Sequence, residues 1–138
     1  MADLSITATG VVKGVGAKTK TTIAGAAVTA GQALYIDAAD ENKGKLADTD
    51  HATAAVRVLA GIALNNAASG QPVTYQYKGR LTIGATVAVG KIYVLSDTAG
   101  GIKPVDDLAA GDYTSVLGIA ISTTEIDINI QNGGVAHA

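Results

Sequence analysis

The sequence predicts an all-β protein: a compact sandwich or small barrel built from two similar β-units, with an extended N-terminal arm. Three observations carry that expectation. Val, Ile and Thr recur in short runs bounded by Gly, Asn, Asp and Ser, and no window of useful length holds the 3.6-residue period of an amphipathic helix. Two stretches alternate between a dry and a wet face: Val73, Tyr75 and Tyr77 against Thr74, Gln76 and Lys78, and Ile126, Ile128 and Ile130 against Asp127, Asn129 and Gln131. A phrase also returns, VRVLAGIAL at 56–64 being echoed by VLGIAI at 116–121.

In chain order, strands are expected at 4–12, 21–28, 33–37, 57–64, the alternating stretch from Val73, 81–83, 92–96, 113–121 and the alternating stretch from Glu125. Turn clusters such as DENKG, NNAASG, SDTAGG and QNGG separate them. The stretch DTDHATAAV at 48–56 is the place that admits a short helix, with Thr49 or Asp50 as its cap.

The echoed phrase belongs to a longer repeat. VTAGQALYID at 28–37 parallels VAVGKIYVLS at 87–96, each followed by a glycine turn, a short lysine-bearing segment, the GIA strand and an alternating strand. Matching positions lie 59 residues apart at Gly31 and Gly90 and 57 apart at Gly61 and Gly118. Two copies of this period are too few and too long for a solenoid, which leaves pseudo-symmetric halves, about 28–79 and 87–133, within a single β domain at 23–138. Gly31 and Gly90 are expected at turns before the first strand of each unit. Gly61 and Gly118 are expected where the strand bulges or two backbones come close.

Residues 1–22 fall outside the repeat. They are rich in Thr and Gly, carry Lys13, Lys18 and Lys20 with Asp3 as their only acid, and have few large apolar side chains, so they read as an arm. NGGVAHA at the other end reads as a loose tail.

The 138 residues suit one domain with one core. The apolar fraction is 48%, but much of it is alanine, and Phe and Trp are absent. Burying a Leu, Ile or Val contributes about 1.5–3 kcal/mol and an alanine far less, so a thin core is expected and with it a homo-oligomer. The formal charge of -2 argues against a protein that grips phosphate backbones. No cysteine is present, which excludes disulfides and thiolate metal sites and fits a chain made in a reducing cytosol. No stretch approaches the roughly 18 apolar residues of a membrane span, and MADLSITATG lacks the basic and apolar regions of an export signal.

Residues that invite chemistry have plainer readings. GVGAKTKT at 14–21 has Ala17 where a phosphate loop needs glycine before its lysine, and Thr19 where a dinucleotide loop needs its third glycine. Asp37, Asp40, Glu41 and Asn42 suggest calcium, yet their spacing is not that of a calcium loop and they suit a solvated hairpin tip; Asp106, Asp107 and Asp112 read the same way. His51 and His137 lack a second histidine at metal-binding spacing, and no nucleophile elbow surrounds Ser69, Ser96, Ser115 or Ser122. Tyr75 and Tyr77 with Lys78 and Arg80 resemble a base-stacking strand, but alternation puts both tyrosines beside Val73 on the core or interface side. No enzyme, cofactor, metal or direct nucleic-acid partner is expected.

The stretch AGAAVTAGQALYIDAAD, followed by GKLADTDHATAAVRVLAGIALNNAASGQPVTYQYKG, resembles the small capsid decoration, or cement, proteins of tailed bacteriophages. The shared pattern is a glycine-led strand ending in Asp, a Gly-Lys hairpin, an Ala-rich segment, a GIAL strand, and an alternating strand, extending over about 24–133. The resemblance implies a β-rich protein without an active site, added to the outer surface of the virion head, often as a trimer that bridges major capsid subunits. It also implies an arm that orders against the capsid or a neighbouring copy. By position, the expected contacts are Leu4, Ile6, Val11, Val12, Lys13, Lys18 and Lys20. The rival expectation is a receptor- or glycan-binding β-module of a phage fibre, which would expose tryptophan or tyrosine as a stacking platform.

Overall fold

The computed structural model describes residues 3–49 and 51–136. Ten strands form one antiparallel sheet: β1 (Val11–Lys13), β2 (Lys18–Ile23), β3 (Ala33–Asp37), β4 (Lys43–Leu46), β5 (Gly61–Ala63), β6 (Pro72–Ile83), β7 (Ile92–Leu95), β8 (Ile102–Pro104), β9 (Tyr113–Ala120) and β10 (Glu125–Ala136). The fold is all-β, a sheet curled into a half-barrel.

The sheet order is β4-β3-β5-β6-β10-β9-β7-β8. It reads the same outward from the central β6/β10 pair in both directions. Each half supplies a strand, its hairpin partner, a third strand and a long fourth strand, in the same chain order and the same spatial order. The halves meet where β6 and β10 run antiparallel, with Arg80 opposite Asp127 and Lys78 opposite Asn129.

The echoed glycines occupy matching places. Gly61 on β5 faces β6, where an added Cβ would lie 2.5 Å from the Gln76 carbonyl oxygen; Gly118 on β9 faces β10, where it would fall on the Asp127 carbonyl. A register shift between β7 and β9 also falls beside Gly118. In both cases the close backbone is the fourth strand of the same half. Gly31 and Gly90 sit in the turns before β3 and β7 with φ of 94° and 82°. Only Gly31 is overlaid, by Ile6 and Val11 of the N-terminal segment.

That segment is extended but does not project. Leu4 N donates to the Ile102 carbonyl on the outer strand β8, and Thr7 N donates to Gly84. β1 and β2 then follow β6 from Ile83 back to Pro72. Beyond β2, Ala24 bridges Gly44 and Gly25 N donates to the Gly44 carbonyl on β4, the other outer strand. A single strap thus covers the edge strands at both ends of the sheet, which hides backbone groups that would otherwise template aggregation. The polar run KTKTTI of β2 holds its place through this ladder and a 2.9 Å hydrogen bond shared by the Thr21 and Thr74 hydroxyls.

The main core gathers Tyr35, Leu59, Ile62, Leu81, Ile83, Tyr93, Leu95, Ile102, Leu117, Ile126 and Ile128 inside the curl. Val28, Leu34, Ala63, Val73 and Tyr75 form a second cluster, and alternation along β3 and β5 puts it on the opposite face of the first half. The first half is therefore covered on both faces. The second is not: Ile92 and Ile119, directly opposite each other on β7 and β9, are 41% and 42% exposed.

Several sequence expectations need correction. The strand expected at 4–12 is reduced to β1, preceded by a 3-10 turn at Ala8–Gly10. The strand expected at 57–64 is only β5, and the stretch at 48–56 that admits a short helix forms a 3-10 turn at Ala54–Arg57, with Asp50 outside the described residues. The stretches at Val73 and 81–83 are one strand, β6. The expected C-terminal tail continues β10 as far as Ala136, held by pairing with Tyr113.

Candidate functional site

The ten basic side chains divide into two groups. Lys43, Lys45, Lys91 and Lys103, on or beside the hairpins of both halves, are ion-paired. Lys45 Nζ lies 2.9 Å from both Asp37 Oδ2 and Asp40 Oδ2. Its hydrogen bond to Asp37, joined by that to Asp40, holds the Lys45 ammonium well above its usual pKa, and Lys45 in turn holds the Asp40 carboxyl low. Of the acids that suggested calcium, Asp37 and Asp40 are thus committed to lysines. Asp106 is paired with Lys91 and Asp112 with Lys103, and no group of acids or histidines able to hold a metal occurs among the described residues.

The other group has no ion pair among the described residues: Lys13, Lys18, Lys20, Lys78 and Arg80 along the strap and β6, and Arg57 elsewhere. Lys18 stands directly opposite Lys78, and Lys20 Nζ lies 5.1 Å from the Tyr77 ring centroid. Like charges facing each other across a ladder are destabilising, so this surface is not arranged for the stability of the free chain. Asp127, opposite Arg80, and Glu125, opposite Thr82, are the acids that border it.

The expected contact residues separate accordingly. Val11 is buried in the main core, and Leu4 and Ile6 pack against it, so these three serve the fold. Val12 is 56% exposed, and Lys13, Lys18 and Lys20 are exposed with it. Lys78 and Arg80, the cations of the base-stacking pattern, are exposed on β6, with Lys78 facing Lys18 of the strap. A partial signal was available: no acidic residue occurs between Asp50 and Asp97, so Lys78 and Arg80 have no acid near them in the chain, although Lys91 in the same stretch reaches Asp106.

Most of the remaining polar candidates are held in structural contacts, while Ser69 is exposed in the turn before β6. The stretch 14–21 leads into β2, not a helix, and Gly14 N donates to the Arg80 carbonyl. His51 Nδ1 accepts from Thr53 N, and His137 lies outside the described residues. Ser96 Oγ donates to Asp3 Oδ1 at 2.6 Å, Ser115 Oγ donates to the Arg57 carbonyl, and Ser122 Oγ accepts from Thr124 N and Glu125 N. Tyr35, Tyr75 and Tyr93 are buried, and burial, aided by Tyr77, pushes the Tyr75 phenol up.

Comparison of the chain with protein-family models, curated proteins and solved structures finds no match.

Proposed function

We propose that this chain is a capsid decoration protein of a tailed bacteriophage: a homo-oligomer, trimeric by the resemblance, seated on the outer surface of the assembled head and bridging major capsid subunits. The observation that carries the reading is the division of the cations. An otherwise acidic molecule leaves five of them in solvent along the strap and β6, with Lys18 set against Lys78. An acidic surface opposite would relieve that repulsion. Many such weak contacts, repeated over a shell, give strong binding through effective concentration.

The bare Ile92–Ile119 face offers a second surface, suited to a neighbouring copy. On this reading the strap meets the capsid with its outer side, since its inner side already belongs to the fold. The glycan-binding alternative has less support, because three tyrosines are buried, Lys20 overlies Tyr77, and Arg57 covers Tyr113.

The test is stabilisation of heads assembled without this protein. Adding it back should raise the temperature at which they release DNA, and Lys18→Glu with Lys78→Glu should abolish the gain. An unchanged release temperature with the wild-type chain would overturn the proposal.

A further inference from the structure

We propose that Arg57 and Tyr113 form a docking pocket for the carboxylate of an acidic side chain carried by a partner protein. The pocket, about 230 Å³, lies between the Ala54–Arg57 turn and strands β9 and β10, and Val58, Ser115 and Asn132 help line it. The Arg57 guanidinium carbon is 3.7 Å from the Tyr113 ring centroid, so the cation lies over the ring face. Stacking on a ring face does not use the in-plane N–H donors, and they have no ion pair to a carboxylate among the described residues.

The mount is rigid. Ser115 Oγ, almost fully buried, donates to the Arg57 carbonyl at 2.8 Å. The Asn132 side chain holds the next part of the turn from both sides, accepting from Leu59 N at 2.9 Å and donating to its carbonyl at 3.2 Å. Tyr113 is fixed by Thr49, whose carbonyl accepts from Tyr113 N at 3.0 Å and whose hydroxyl donates to the Tyr113 carbonyl. A donor fork fixed in advance loses little entropy on binding.

Charge and shape select the occupant. The fork matches a carboxylate in two-point contact, and the described lining residues include no second cation for a phosphate dianion. Val58, 49% exposed at the rim, gives apolar contact to residues flanking the acid, which a free small acid lacks. An acidic sugar would need the tyrosine face that the guanidinium covers. Arginine and tyrosine are also the residues in which interface energy concentrates. This site lies apart from the strap and does not depend on the capsid reading.

The test uses the intact protein, isotope-labelled, with the Arg57 Nε–Hε signal followed by NMR. Ac-Val-Glu-Val-NH2 should give saturable shifts at Arg57, Tyr113 and Ser115, and Ac-Val-Gln-Val-NH2 should bind about tenfold more weakly because the charge-assisted bonds are lost. Arg57→Lys should also bind the Glu peptide about tenfold more weakly, for want of the planar fork, while Tyr113→Phe, which keeps the ring, should retain binding. Equal response to the two peptides, or no saturable shift at Arg57, overturns the proposal. So does a stronger response to methyl phosphate or to the methyl glycoside of sialic acid.

Discussion

Lys103 Nζ lies 2.7 Å from Asp112 Oδ2, and the two side chains are only 5% and 3% exposed. The pair ties edge strand β8 to the chain entering β9, and Asp112 also accepts from Ala109 N. Removing one partner of a buried pair strands the other charge. Lys103→Met should therefore cost about 3 kcal/mol, read as a lower urea midpoint.

The same pair sets a pH dependence. Burial alone would lower the Lys103 pKa, but the hydrogen bond and charge of Asp112, with Asp97 nearby, outweigh it and raise the value. A raised lysine contributes fully below its unfolded pKa of about 10.4 and loses that contribution as pH climbs through the folded value. The stability gap between wild type and Lys103→Met should thus be constant from neutral pH to about 10 and shrink above it. A gap that stays constant to higher pH would show that the charge is not what matters.

Gly61 and Gly118 should be equally intolerant of a side chain. Alanine at either position drives a methyl into a neighbouring carbonyl, at a cost of about 3 kcal/mol. Gly90→Ala meets open space and should cost only the left-handed strain, about 1–2 kcal/mol. Thermal melts of the three variants give the order.

Much of this was legible from the chain. The alternation at Ile126 and Ile128 marks buried positions, and 33–37 is β3 to the residue. Alternation failed at Gln76, which is fully buried; its amide donates to the Lys78 and Arg80 carbonyls beside a register shift that no periodicity announces. The strap reads as a free arm in the sequence because few of its side chains are large. Leu4, Ile6 and Val11 pack on the core, and the rest is held by backbone pairing to β6, to which composition is blind. The Arg57–Tyr113 and Lys103–Asp112 contacts depend on the curl of the sheet, so neighbouring residues do not reveal them.

Deleting residues 1–20 should destabilise the whole domain and promote aggregation, since it strips β1 and much of β2 from β6 and uncovers the edge of β8. Light scattering on the truncated protein checks this. A soluble, cooperatively folding product would mean that the strap is dispensable to the fold.

Lys18→Glu separates folding from binding. Placing an acid opposite Lys78 should raise stability by about 0.2–1 kcal/mol while weakening attachment to an acidic surface. Opposite signs in a urea titration and a binding assay are expected.

Sedimentation of the purified protein with phage heads assembled without it tests attachment to the capsid. The wild-type chain should bind saturably near micromolar concentration, corresponding to about -8 kcal/mol, with a fixed ratio to the major capsid protein. Lys18→Glu should shift the curve to higher concentration. A wild-type protein that stays in the supernatant at every concentration would overturn the capsid reading.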